Sequence, residues 1–207
     1  MLGWIRAPGE HGYGTPEGFG FYYLLTSGQP LPPHAAHEWI PGLYEAIGQG
    51  YKDIGIEAFR GAIKSSVFSN FLSYQVGLCP WSEYMVVQVM DNSAHDTTKW
   101  ITLTIEQSPS FRAAFPKIER DPKRGWGAEG YNLRDFNYSD EEWQQLRTRD
   151  PSLLGAGYQS GIIIGKHPRR FLWIDDIHNS TNTRSQKELM RVKEIYSKDI
   201  RHIRTKD

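Results

Sequence analysis

Residues 57–66, EAFRGAIKSS, place a glycine, a lysine and two serines between a predicted strand and a predicted helix. The strand is predicted over 53–59, and the helix is predicted to begin at Lys64, because apolar residues recur at helical spacing in KSSVFSNFLSYQV. A strand, a loop and a helix in this order are what a phosphate-binding loop requires, since backbone N–H groups at the helix N-terminus face the anion. Isoleucine, Ile63, occupies the position before the lysine where the usual pattern has glycine, and a β-branched residue resists positive φ. The alternative interpretation is a surface turn with a solvated lysine.

A second pattern lies in RRFLWIDDI, residues 169–177, where four apolar residues run directly into Asp175 and Asp176. A buried strand that ends in two carboxylates suits one acid that holds a magnesium-bound water and another that acts as a general base. The alternative is a strand that ends in a polar turn. Both motifs follow predicted strands, and open α/β sheets bind ligands at the carboxyl ends of their strands.

Between the two motifs, strands and helices alternate, which predicts an α/β fold with a mostly parallel sheet. We predict a strand over 84–90 and a helix over 91–107. A short helix in SDEEWQQLR is predicted to begin at Ser139, with Glu142 three residues later as a capping box. The last helix is predicted from about Thr183, where TRSQ has the capping-box spacing.

Composition narrows the function classes. The chain has 207 residues, with 24 basic and 24 acidic side chains, so its formal net charge is near zero. The absence of a large excess of positive charge argues against a protein whose main task is to bind duplex DNA. A single cysteine, Cys79, excludes a disulfide framework and a zinc cluster. His34 and His37 lack partners in a metal-ligand pattern. The first residues carry no signal-peptide-like apolar run, and no apolar stretch is long enough to span a bilayer.

The run SGIIIGKHPRRFLWIDDIHNSTNTRSQKELMRVKEIY resembles a segment of phage terminase large subunits, the motors that package DNA into viral capsids. The resemblance covers about residues 30–207 and concerns the family's ATPase domain. RGAIKSS is similar to the family's deviant phosphate loop, in which an arginine precedes the glycine and the residue before the lysine varies. VMDNSAHDTTKWITLTIEQSPSFRAAFP is similar to the family's second strand and following helix. The resemblance implies a P-loop NTPase-like three-layer sandwich, incomplete at the C-terminus.

ATP and Mg²⁺ are the cofactors that the resemblance implies. The predicted nucleotide-binding residues form one consecutive run: Gly61, Ala62, Ile63, Lys64, Ser65 and Ser66. In the implied roles, Lys64 contacts the β- and γ-phosphates, and Ser65 and Asp175 bind Mg²⁺. Asp176 is the implied catalytic base, at a position where many relatives carry glutamate. Arg60 contacts the γ-phosphate or senses its loss, with a salt bridge on the loop rim as the alternative.

Two further sets of residues have less specific roles. One of Lys166, Arg169 and Arg170 is a candidate arginine finger for a neighbouring subunit, and the alternative is a solvated basic turn. Trp39 or Tyr44 is a candidate for stacking on adenine, and the alternative is a buried aromatic side chain.

The expected function is therefore an ATP-hydrolysing motor that drives DNA packaging. Its implied partners are double-stranded DNA through the assembled motor, the portal protein, the small terminase subunit and further copies of itself in a ring. The implied location is the host cytoplasm, with transient residence at the procapsid and no membrane. Two alternatives stay open, which are another P-loop motor such as a helicase-like ATPase and a degenerate P-loop assembly module without hydrolysis.

Family members continue into a further central strand and a nuclease domain, whereas here the last helix is followed only by RHIRTKD. We therefore expect an irregular arm over 1–33 and a partial ATPase domain over 34–207, without the nuclease domain. Such a chain is an N-terminal portion of the motor or a split or shortened gene product. Its sheet is expected to end at an unpaired edge, which favours association.

Overall fold

A computed structural model describes residues 2–178 and 183–200, and within them the fold is mixed α/β. The described α-helices are α1 Leu2–Ile5, α2 Pro16–Ser27, α3 Ile40–Gly48, α4 Lys64–Leu78, α5 Asp91–Gln107, α6 Pro109–Ala114, α7 Asp140–Leu146 and α8 Gln186–Ile195. The described strands are β1 Tyr84–Gln88, β2 Ile118–Arg120, β3 Trp126–Gly127, β4 Gly130–Tyr131, β5 Leu133–Asp135, β6 Leu153–Gly157 and β7 Phe171–Ile174. Residues 201–207, where we predicted no further strand, lie outside the described part of the chain.

The chain divides into two compact units. The first contains the residues up to Cys79 together with Leu103–Ile118, and the second contains Pro80–Thr102 together with the residues from Glu119 onward. None of the helices in the described residues is both long and apolar enough to cross a membrane.

The first unit is helical, and its N-terminal part is more regular than predicted. Residues 16–27 form α2, so the description of 1–33 as an irregular arm is wrong. Thr15 caps this helix by accepting a hydrogen bond from the Gly18 amide, Pro16 occupies the first turn, and Gly28 ends it in the left-handed conformation. Each of these is a standard helix boundary signal.

Aromatic side chains of α2 and α4 form the core of the first unit. The rings of Phe19 and Phe71 meet edge to face with centroids 5.3 Å apart. The Tyr22 hydroxyl lies 2.7 Å from the Ser73 hydroxyl, and the Tyr74 hydroxyl donates to the Ile5 carbonyl at 2.9 Å. Burial raises the pKa of Tyr74 to about 12, so this hydroxyl keeps its proton and its hydrogen bond.

The strand predicted over 53–59 is absent from the structure, and that prediction is wrong. Ile54, Ile56 and Ala58 have the alternation of a strand, but a strand needs a neighbour that accepts and donates its backbone hydrogen bonds. No described strand pairs with this segment, and every residue in it except Ile56 is exposed. Helix α3 has Pro41 in its first turn and follows a π-helical segment, Ala35–Trp39.

The second unit contains a five-stranded sheet with the order β3-β4-β6-β1-β7. The central strand β1 is parallel to β6 and to β7, and Val86 lies opposite Gly155 on one side and Trp173 on the other. The pairs β3–β4 and β4–β6 are antiparallel. The sheet is therefore only partly parallel, and the prediction of a mostly parallel sheet is confirmed only in part. The short turn between β3 and β4 allows only an antiparallel pair, because parallel strands need a long crossover.

Helices cover both faces of this sheet. On one face α5 approaches closely, since an added Cβ on Gly155 would lie 2.6 Å from the Ala94 carbonyl oxygen. On the other face, Leu154 and Ala156 pack in a buried cluster with Val192 of α8. Successive residues of a strand point to opposite faces of the sheet, so Gly155 faces α5 whereas Leu154 and Ala156 face α8.

The predicted helix caps are only partly confirmed. In α7, Ser139 and Glu142 form the predicted capping box. In α8 the cap is Ser185, which accepts from the Glu188 amide, and the predicted cap at Thr183 is wrong. The helix therefore starts two residues later than the cap predicted at Thr183.

Gly155→Ala should destabilise the second unit, because the new methyl group would collide with the backbone of α5. We expect the free energy of unfolding to fall by about 1–3 kcal/mol, the usual cost of overpacking a core. Urea denaturation measures this change. Gly161→Ala is the matched control, since an added Cβ there meets nothing within 4 Å, and an equal loss in both variants would contradict the close approach.

Candidate phosphate loop and paired carboxylates

The loop before α4 turns through two residues in the left-handed region. Gly61 has φ of 88°, and Ile63 has φ of 50° and ψ of 28°, after which α4 begins at Lys64. Glycine adopts positive φ without strain, whereas for a β-branched residue the left-handed region costs about 1–2 kcal/mol. The predicted helix start at Lys64 is confirmed, and the position before the lysine requires positive φ even though it is isoleucine.

The strained residue is also the N-cap of α4. Ile63 makes no side-chain capping hydrogen bond, because it lacks the oxygen with which serine, threonine or aspartate would accept from the first-turn amides. Its side chain is 49% exposed, so burial of the isoleucine side chain does not explain its presence. Strained backbone of this kind clusters at functional sites.

The predicted nucleotide-binding residues form one accessible surface. Arg60, Gly61, Ser65 and Ser66 are exposed and Lys64 is half-buried. Ala62 is the exception at 2% exposure, and its amide donates to the Phe59 carbonyl at 3.1 Å. Ala62 therefore fixes the loop to the interior of the first unit, while Gly61 and Ile63 on either side of it are exposed.

His34 is a contact of the loop that sequence reasoning missed. Its Nε2 lies 3.0 Å from the Ala62 carbonyl oxygen, and the two residues are 28 positions apart in the chain. A carbonyl oxygen only accepts, so Nε2 carries the proton and donates. No local pattern in the sequence marks a contact over this separation.

The two aromatic residues considered for adenine stacking contact other parts of the first unit. Trp39 is 8% exposed and stacks on Phe68 of α4, with ring centroids 6.2 Å apart. The Tyr44 hydroxyl donates to the Tyr13 carbonyl at 3.0 Å. For Trp39 this burial agrees with the alternative interpretation of a buried aromatic side chain, whereas Tyr44 is half-buried.

The predicted acids lie in the second unit, directly after β7. Asp175 is 3% exposed, and its amide donates to the Val87 carbonyl at 2.9 Å. Asp176 is exposed and has φ of 46°, a left-handed conformation that aspartate tolerates better than most residues. The chain therefore turns sharply between a buried and an exposed carboxylate.

Other polar residues share the carboxyl edge of the parallel strands. The Asp91 carboxylate at the start of α5 accepts a hydrogen bond from the Gly157 amide at 2.7 Å. The Thr97 hydroxyl donates to the Gln88 side-chain carbonyl at 3.3 Å. Sequence reasoning missed the contact between Asp91 and Gly157, because these residues meet only when β1 and β6 pair in parallel register.

The candidate arginine-finger residues lie at the opposite end of β7. Lys166 is paired with Asp150 at 2.8 Å, and Arg169 lies 3.9 Å from the Glu83 carboxylate. They precede the four-residue strand that Asp175 follows, a separation of about 13 Å at 3.3 Å per residue. Within this unit, two of the three candidates therefore belong to a charge cluster remote from the paired acids.

Glu83 is the buried member of that cluster. It is 5% exposed, and one of its carboxylate oxygens, Oε2, makes no hydrogen bond. Burial raises the pKa of its carboxyl, while the hydrogen bond from Thr148 and the charge of Arg169 oppose the rise. The carboxylate is thus held in an environment that favours its protonated form.

The described residues contain no group of three or more His, Cys, Asp or Glu side chains arranged to hold a metal ion. The loop belongs to the first compact unit, and the paired acids belong to the second. No protein-family model matches the chain, and no curated protein matches it either.

Glu83→Gln should change how stability depends on pH. Because the folded pKa of Glu83 lies above its usual 4.5, the folded state binds this proton more tightly than the unfolded state does. The stability that Glu83 contributes is therefore full below the unfolded pKa and is lost as the pH rises through the folded pKa. We expect the free energy of unfolding of Glu83→Gln, relative to wild type, to increase with pH across this window. Urea denaturation at a series of pH values measures this difference in the free energy of unfolding. Glu119→Gln, which changes an exposed acid, is the control. Parallel dependences of the unfolding free energy on pH for wild type and Glu83→Gln would contradict the raised pKa.

Proposed function

We propose that this chain binds ATP at residues 60–66 and belongs to an ATP-hydrolysing DNA-packaging motor of the terminase large subunit type. The observation that carries the proposal is the start of α4 at Lys64, directly after two left-handed residues that turn the loop. A helix that begins in this way directs its first amides and its positive dipole end at the loop, which suits a phosphate group.

The residues of the loop fit a magnesium nucleotide. The Ala62 amide is bonded to the Phe59 carbonyl, so the backbone amides of Gly61, Ile63 and the first turn of α4 are the ones that would bind phosphate oxygens. The Lys64 ammonium would neutralise the charge of the phosphate. The Ser65 hydroxyl would ligate Mg²⁺, as a serine after the lysine does in phosphate loops. Exposure of Arg60, Ser65 and Ser66 supports access from solvent.

The hydrolytic part of the proposal comes from the resemblance, which assigns it to the paired acids. Asp175 is buried at the carboxyl end of a parallel strand, with its backbone held by β1, and would stay fixed while it orients a magnesium-bound water. Asp176 is exposed at the following turn and would accept a proton from the attacking water. The magnesium ion, when bound, would stabilise charge on the transferred phosphoryl group.

The partners in this proposal come from the resemblance alone. They are double-stranded DNA, a portal protein, a small terminase subunit and further copies of the chain in a ring. The near-zero formal charge is consistent with DNA contact through an assembly rather than through a basic surface on this chain.

Lys64→Ala should weaken the binding of MgATP without unfolding the chain. Loss of a charged donor to the phosphates costs about 1.5–3 kcal/mol, which corresponds to roughly a 10- to 100-fold rise in Kd. Isothermal titration calorimetry measures the Kd, and thermal melting confirms the fold. Lys117→Ala, which removes an exposed lysine of the same unit outside the loop, is the control. A wild-type chain that binds no MgATP, or a Lys64→Ala variant that binds it normally, would rule out the nucleotide loop.

The two acids should differ in their effects. Asp176→Asn should bind MgATP normally but lower the single-turnover hydrolysis rate by about 10²- to 10⁴-fold, because an amide cannot accept the proton. Asp175→Asn should instead raise the Mg²⁺ concentration needed for binding. Identical Mg²⁺ titrations for the two variants would contradict these roles. Wild-type binding without any hydrolysis in the assembled motor would favour the degenerate assembly module.

A further inference from the structure

We infer that His34 is a positioning residue that holds the Ala62–Ile63 peptide in the orientation that the loop needs. The inference deepens the proposed function, since the N–H of this peptide is one of the donors assigned there to phosphate. It starts from the 3.0 Å contact between His34 Nε2 and the Ala62 carbonyl oxygen.

The geometry of the peptide group links this contact to the loop. The described chain has no cis peptide bonds, so the Ala62 carbonyl and the Ile63 N–H point in opposite directions from one planar group. With the carbonyl bound by His34, the Ile63 N–H points away from the imidazole. Rotation of this peptide changes φ of Ile63, so the hydrogen bond also holds the left-handed value of 50°.

His34 is itself held in place by aromatic rings on two sides. Its imidazole lies edge to face with Trp39, at a centroid distance of 4.7 Å, and with Phe59, at 5.2 Å. Trp39 in turn stacks on Phe68 near the start of α4. The donor therefore has little freedom to follow the carbonyl if the peptide rotates.

Isoleucine makes this support necessary. A glycine at position 63 would adopt positive φ without strain, but a β-branched residue there is stable only where surrounding contacts over-determine it. The buried Ala62, fixed by its own amide to Phe59 and by its carbonyl to His34, supplies those contacts. His34 and Ile63 are thus energetically coupled in this structure.

Two substitutions separate the hydrogen bond from the ring contacts. His34→Phe keeps an aromatic ring between Trp39 and Phe59 but removes the donor. His34→Gln keeps a donor of similar reach and removes the ring. If the hydrogen bond positions the loop, glutamine should preserve loop order and phenylalanine should not.

The first readout needs no nucleotide. Trypsin cleavage after the exposed Arg60 reports local opening of the loop, and cleavage after the exposed Lys117 of the same unit is the internal control. We expect His34→Phe to cleave about two- to tenfold faster at Arg60, the range for loss of one hydrogen bond, while His34→Gln stays close to wild type. In the Ile63→Gly background the effect of His34→Phe should shrink, because glycine needs no support. The ¹⁵N shift of the His34 ring should show Nε2 protonated.

The second readout is the Kd for MgATP, which should rise by a similar factor in His34→Phe and recover in His34→Gln. If wild type binds no MgATP but the cleavage pattern holds, the positioning role stands and the proposed function fails. Equal Arg60 cleavage in wild type and His34→Phe would overturn the inference. Additive effects of His34→Phe and Ile63→Gly would overturn it as well.

Discussion

Strand β1 is buried at all five of its residues, so its backbone donors and acceptors must be bonded within the protein on both sides. β6 and β7 meet this requirement as parallel neighbours. The parallel direction brings the carboxyl ends of three strands to one edge, where Asp175 bonds to the main chain of β1. It also requires cover on both faces, which α5 and α8 provide. The position of the buried carboxylate thus follows from the pairing of one central strand.

The phosphate-loop candidate depends on a different balance, between local strain and the contacts that hold it. The left-handed conformation of Ile63 costs about 1–2 kcal/mol, and a single neutral hydrogen bond contributes about 0.5–1.5 kcal/mol. The two magnitudes are comparable, so one well-anchored donor offsets most of the strain. The donor is effective because aromatic rings on each side hold His34 against the first unit.

The charges of the second unit are divided between the two ends of β7. Asp175 and Asp176 follow the strand, whereas the cluster of Glu83, Asp150, Lys166 and Arg169 lies before it. The cluster keeps an acid of raised pKa buried beside cations, which is an arrangement for internal pairing. Basic residues close to paired acids in the sequence are therefore not close to them in the fold, because a strand separates the two groups.

Much of the local structure was predictable because its causes are local. The start of α4 at Lys64, the cap of α7 at Ser139 and the strand before Asp175 depend on residues within a few positions of each other. The same kind of reasoning failed for residues 53–59, whose alternation favours a strand but which pair with no strand in the described chain. It also placed the cap of α8 at Thr183, whereas the N-cap is Ser185.

The sequence by itself determined the start of α4 at Lys64, the apolar strand that ends in two acids, the extent of α5 and the cap of α7, since short-range sterics and hydrogen bonds decide these features. Only the tertiary structure decided that the sheet is partly antiparallel, that Gln88, Asp91 and Gly157 share an edge with Asp175, and that His34 holds Ala62. Those contacts join residues far apart in the chain, and their energies exist only after strands pair and helices pack. The pattern of neighbouring residues therefore does not predict which distant residue will be the contact partner.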